Sequence, residues 1–146
     1  PLFLKQLEEG TLTITDERMT RFWISLDEGV EFVISCVEEM TGGEIFVPKI
    51  PSMKITDLAA AIAPDCKIKI VGIRPGEKLH EILISEEEAS HTVEFDDYYI
   101  IKPAFATWPI SDWAGGTPVS ERFRYSSDTN PDAVDGDKIR SMADDH

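Results

Sequence analysis

Cysteine is scarce in this chain. Cys36 and Cys66 are the only two among 146 residues and form no CxxC pair, which excludes a disulfide scaffold and a thiolate metal cluster. A reducing, cytoplasmic setting is expected. Long apolar runs are also missing: stretches such as Ile82 to Ile84 and Tyr98 to Ile101 fall far short of the roughly 20 residues of a membrane helix, so no membrane is expected as partner. Basic residues are few, 14 Lys plus Arg against 28 Asp plus Glu, and the net charge of −14 argues against nucleic acid. Any anion site must therefore be local. No GxGxxG occurs, and Gly42-Gly43 and Gly115-Gly116 lack the strand-to-helix context of a dinucleotide loop. There is no GxSxG elbow. His80-Glu81 has no second His at Leu83 or Ile84 to complete a zinc site.

What is present suffices for a folded core, since 42% of the residues are hydrophobic. Leu2, Phe3, Leu4 and Leu7, stopped by Gly10, read as the end of a helix. The opening Pro1-Leu2-Phe3-Leu4 has no initiator Met and no basic leader, and is expected to be interior to something longer. Leu12 to Ile14 and Thr20 to Ile24 suit short extended segments. Ser25 with Glu28 forms a capping box before Val30, Val33, Ile34 and Val37, which recur at helical spacing until Gly42-Gly43. Glu44 to Val47 predicts a strand, Asp57 to Ala63 a short helix capped by Thr56, and Lys67 to Ile73 a half-buried strand. Arg74-Pro75-Gly76-Glu77 predicts a turn, and Leu79, Ile82 and Leu83 a helix over Lys78 to Ser85. Val93 to Phe95 and Tyr98 to Ile101 suggest paired strands across Asp96-Asp97. Residues 1–109 thus form a small α/β domain, followed by an acidic, aperiodic stretch over 110–146.

Most charged groups have a plain structural reading. Glu77 and Glu81, four apart, suit an acid/base pair or a solvated helix face, and Glu86-Glu87-Glu88 reads as solvent-facing. Cys36 and Cys66 read as small buried thiols. In Thr20-Arg21-Phe22-Trp23-Ile24 a guanidinium sits in an aromatic segment, where its stem can pack on a ring with its head in water. Arg74, fixed by Pro75 at the start of the expected helix, suits either a capped surface turn or a fork onto phosphate oxygens, with Glu77 accepting from sugar hydroxyls.

Three longer motifs carry a resemblance. Ile14 through Ile24, Gly43 through Ile55 and Gly72 through Glu81 resemble the C-terminal part of the inverting UDP-N-acetylglucosamine 4,6-dehydratases, in the extended short-chain dehydrogenase/reductase family. The stretch Phe123 to Asn130 is most similar to the branch that opens pseudaminic acid biosynthesis. The resemblance implies an α/β substrate-binding portion of such an enzyme, a lyase of bacterial surface-polysaccharide or flagellin-glycan synthesis, with the Rossmann half absent. It implies that Arg21 and Arg74 bind the diphosphate of UDP-N-acetylglucosamine and that Glu77 holds the uridine ribose hydroxyls.

It further implies that NADP and the Tyr-xxx-Lys pair belong to the absent half, and that the complete enzyme is a homo-oligomer. Tyr98 to Lys102 is the single arithmetical match to that pair here, but it lies in a strand segment and ends before Pro103. On this reading the 146-residue chain alone is inactive, binds no NADP, and exposes an apolar face around Leu2, Phe3, Leu4, Phe22 and Trp23. The alternatives are a non-catalytic nucleotide-sugar or partner-binding module, or a related retaining dehydratase or 4-epimerase.

Overall fold

The computed structural model describes residues 3, 6, 8–105, 113–132 and 134. In chain order the elements are β1 (Thr11–Ile14), β2 (Thr20–Phe22), α1 (Leu26–Glu39), β3 (Ile45–Pro48), β4 (Ser52–Lys54), α2 (Ile55–Ile62), β5 (Lys67–Ile70), β6 (Ile82–Ile84), a 3-10 turn (Glu86–His91), β7 (Thr92–Glu94), β8 (Tyr98–Ile101), β9 (Thr117–Pro118) and β10 (Tyr125–Ser126). This is the expected α/β class. The helix end expected over residues 2–7 and the boundary expected at 109 fall largely or wholly outside the described residues.

The chain divides into two compact units, the first comprising Pro1–Trp23, Pro51–Glu81 and Ser127–His146. Here β1 pairs parallel with β5, Leu12 opposite Ile68, and β2 pairs antiparallel with β4, Arg21 opposite Met53. Leu12 and Ile14 alternate inward and pack on Ala59 and Ala63 of α2, joined by Phe3, Ile55 and Cys66. A second cluster sets Met53 and Ala61 against Trp23, Leu58 and Ile62. The half-buried strand expected over Lys67 to Ile73 is shorter, and all four residues of β5 are exposed. Phe22 and Trp23, expected on an exposed apolar face, are half-buried.

The second unit comprises Ile24–Ile50 and Ile82–Ser126. Its antiparallel sheet has the order β3-β8-β7-β9, and β6 pairs with β10. Val47, Val93, Ile100 and Ile101 are buried in the sheet, and the Tyr99 ring lies against Phe123 and Tyr125. The Tyr125 hydroxyl donates to the Ile50 carbonyl and accepts from the Ile50 N–H, both at 2.9 Å.

Helix α1 begins with the predicted capping box, Glu28 N–H donating to Ser25 Oγ while the Glu28 carboxylate accepts from the Ser25 N–H. It ends at Met40, before the two glycines. Its inner side carries Gly29, Phe32 and Cys36, the last two half-buried, with Phe32 against the Tyr98 ring. Val30, Val33, Ile34 and Val37, the periodic set, lie on an exposed side instead.

The helix expected over Lys78 to Ser85 does not form. The carbonyls it would use internally are claimed from outside: Thr20 N–H donates to Leu79 O, and Arg21 donates to Lys78 O and Leu79 O. Glu81 N–H donates to Ser127 Oγ, and Ser127 N–H returns a bond to Glu81 O. The β-branched Ile82 and Ile84 then extend as a strand, with Ile84 fully buried.

Candidate functional site

Arg74, Glu77 and Arg21 all fall in the first unit, on or beside the loop from Val71 to Glu81. Arg74 opens a four-residue turn. Pro75 supplies the fixed φ of its second position and Gly76, at φ +83°, supplies the left-handed third, which together are the requirements of a type II turn. The turn closes with Glu77 N–H donating to Arg74 O at 3.0 Å. The Glu77 carboxylate reaches back to accept from the Arg74 N–H at 3.1 Å, and its other oxygen accepts from the Thr15 hydroxyl at 3.4 Å.

A carboxylate has about four acceptor positions, so Glu77 keeps room for two hydroxyls of a ligand. The Arg74 guanidinium is exposed, and among the described residues it has no hydrogen-bond or ion-pair partner. Because no helix follows the turn, the expectation that Arg74 stands at a helix N-terminus is overturned. Its recognition of an anion rests on the guanidinium fork and the turn.

Arg21 is engaged differently. Its Nη1 donates to Thr20 O at 2.7 Å and Leu79 O at 3.2 Å, its Nη2 donates to Lys78 O at 2.9 Å, and its Nε lies 3.5 Å from Glu81 Oε1. Only one Nη2 hydrogen is left for a ligand. Glu81 is therefore the ion-pair partner of Arg21, not a member of an acid/base pair with Glu77 on a shared helix face.

Sequence reasoning missed the groups that hold the end of this loop. Thr20 Oγ1 lies 2.8 Å from His80 Nδ1 and 2.7 Å from Ser127 Oγ. The partners are 60 and 107 residues apart in the chain, and no local pattern announces them.

Other ionisable groups are self-contained. Asp16 accepts from the Arg18 side chain and backbone N–H, and these bonds hold its carboxyl down at about 2. The two side chains thus neutralise each other on the surface. Tyr98, the arithmetical match to a Tyr-xxx-Lys pair, starts β8; burial, with its hydroxyl donating to Glu39 Oε2 at 2.7 Å, pushes it up to about 12. That is the opposite of an activated base. Burial pushes the Cys36 thiol up as well, and both cysteines are half-buried, not buried. Among the described residues no helix is long and apolar enough to cross a membrane, and no three His, Cys, Asp or Glu side chains gather as a metal site.

Residues 1–103 match the family model described as "Polysaccharide biosynthesis protein". An inverting UDP-N-acetylglucosamine 4,6-dehydratase of Campylobacter jejuni subsp. jejuni serotype O:2 is 54% identical over 90% of this chain and 42% of its own length. A UDP-glucose 4-epimerase of Rickettsia canadensis is 41% identical over 69% of this chain and 31% of its own. Among solved structures, that of Pen from Bacillus thuringiensis superposes with a TM-score of 0.80 at 28% identity, covering 99% of this chain and 43% of that one. The chain thus spans about two-fifths of the length of the dehydratase it matches.

Proposed function

The chain belongs to the polysaccharide biosynthesis protein family, and from that premise we propose that it is the UDP-sugar-holding portion of a UDP-N-acetylglucosamine 4,6-dehydratase that inverts C5. The observation that carries this reading is the Arg74–Glu77 turn, which sets a guanidinium fork with no partner among the described residues beside a carboxylate with acceptor positions to spare. A diphosphate next to a ribose offers matching chemistry: oxygens for the fork and hydroxyl donors for the carboxylate. In this proposal Arg74 takes the diphosphate, Arg21 adds its one remaining donor and its charge, and Glu77 takes the ribose hydroxyls. The 54% identity to a protein named for this substrate favours the dehydratase over the 4-epimerase, whose UDP handle would be the same.

Holding the nucleotide far from the reacting carbons converts remote binding energy into orientation of the hexose. The complete enzyme would be NADP-dependent, homo-oligomeric and cytoplasmic. The described residues do not fit a dinucleotide themselves: α1 and α2 carry Asp27, Glu28 and Asp57 in their first turns, which oppose a pyrophosphate at either N-terminus.

Calorimetric titration of the full chain with UDP tests the reading. Losing a charge-assisted contact costs on the order of 1.5–3 kcal/mol, so Arg74→Ala weakens binding about tenfold or more. Equal UDP affinity in the variant would remove the assignment.

A further inference from the structure

The hydrogen bonds around Thr20 favour one tautomer of His80. Three atoms are linked there in sequence, Ser127 Oγ, Thr20 Oγ1 and His80 Nδ1, with separations of 2.7 and 2.8 Å. Thr20 and Ser127 are buried, at 7% and 4% exposure. Ser127 Oγ already accepts from the Glu81 N–H at 2.9 Å, and among the described residues it has no further neighbour of this kind.

Two arrangements are open. If Nδ1 carried a proton, it would donate to Thr20, the Thr20 hydroxyl would donate to Ser127, and the Ser127 proton would be left in a buried position with no acceptor. If Nδ1 is bare, Ser127 donates to Thr20, Thr20 donates to Nδ1, and every proton is used. The second arrangement leaves the ring neutral with its proton on Nε2. The ring is half-buried, and among the described residues Nε2 has no hydrogen-bond partner.

We infer that His80 is a further ligand-contacting residue of the Arg74–Glu77 site, whose Nε2–H donates to an oxygen acceptor of the bound nucleotide, with Thr20 and Ser127 as its positioning residues. The inference rests on the nucleotide-sugar reading above. It also gives the site a polarity: a neutral N–H donates to a phosphate or carbonyl oxygen and offers nothing to a metal cation. The loop that carries Arg74 and Glu77 ends at this ring, so the relay that orients His80 also pins the loop.

The test is nitrogen NMR of the 15N-histidine-labelled full chain, with His80 assigned by its loss in His80→Gln. The expected pattern is a pyrrole-type Nε2 and a pyridine-type Nδ1. Thr20→Val should move His80 toward the tautomer mixture of a free imidazole and Thr20→Ser should restore the wild-type pattern, a rescue that a role in packing alone would not produce. Titration with UDP to millimolar concentration should then shift the Nε2 resonance, and His80→Gln should weaken UDP binding at least fivefold. A protonated Nδ1 in the wild type, or UDP binding equal in wild type and His80→Gln, overturns the inference while leaving the UDP reading intact. Absence of UDP binding in the wild type with the expected tautomer present overturns the UDP reading, and the ligand contact with it.

Discussion

Arg74 and Glu77 bond each other twice, the Glu77 N–H to the Arg74 carbonyl at 3.0 Å and the Arg74 N–H to the Glu77 carboxylate at 3.1 Å. The two ligand-binding candidates are thereby fixed relative to each other by backbone, before any ligand arrives. Such pre-organisation lowers the ordering cost of binding and leaves the guanidinium as the one long side chain to be immobilised.

The pair of hydrogen bonds between them requires Gly76 at φ +83°, where a Cβ meets nothing within 4 Å. Gly76→Ala therefore costs through backbone strain and not through a clash. A destabilisation of about 1–2 kcal/mol is expected, with weaker UDP binding, because the turn relaxes. Denaturant midpoints and UDP titrations of Gly76→Ala and Gly76→Asn check this, with Asn, which tolerates the left-handed region, expected to be milder.

The two arginines separate by what each mutation damages. Arg21 holds three backbone carbonyls and Glu81, whereas Arg74 holds none of these through its side chain. Arg21→Lys cannot reproduce a planar fork over carbonyls of residues 20, 78 and 79, and is expected to lose about 2 kcal/mol of stability. Arg74→Ala is expected to stay within about 0.5 kcal/mol of wild type. Urea melts of the two variants decide; equal losses would mean that Arg21 does not anchor the loop.

How legible this was from sequence depends on how local the cause is. The turn at 74–77 and the start of α1 are written in adjacent residues, Pro75 with Gly76 and Ser25 with Glu28, because their hydrogen bonds close within three residues. The segment 78–85 misleads for the opposite reason. Leu79, Ile82 and Leu83 do have helical spacing, but the carbonyls of 78 and 79 are taken by Thr20 and Arg21, nearly sixty residues earlier in the chain. Periodicity likewise found α1, but spacing alone does not say which side packs, and the periodic valines and Ile34 lie exposed while Phe32 and Cys36 are half-buried. The resemblance placed Arg21 and Arg74 in one role; only the hydrogen bonds separate an anchored guanidinium from an unpaired one.

Tyr98 makes stability depend on alkaline pH. Its folded pKa is raised from 10.0 to about 12, by burial and by the neighbouring Glu39 carboxylate, so folding favours the neutral phenol. That contribution is fully present below pH 10 and is lost as pH rises toward about 12. Tyr98→Phe, which cannot ionise, should flatten the stability profile over this window. Absorbance titration at alkaline pH, wild type minus variant, should show one tyrosine ionising near the top of the range; ionisation of Tyr98 at its ordinary value would contradict the burial and the Glu39 bond.

The outward side of α1 is apolar and exposed. Leu26 is 80% exposed, Val33 60%, Ile34 57% and Val37 64%, and no residue of the helix is buried. A contiguous apolar stripe of this kind on the chain by itself recruits hydrophobic dye and drives concentration-dependent association. Val33→Lys with Val37→Lys, one helical turn apart, should abolish most of the dye signal. Because these side chains bury little surface on folding, the double variant should change stability by no more than about 1 kcal/mol, and the helix should persist, as Lys is the better helix former. Far-ultraviolet dichroism and sedimentation velocity, run on both proteins across a concentration series, read the two effects separately. A monodisperse wild type that binds no dye, or a double variant that unfolds, would show that this face is packed within the chain and not presented to solvent.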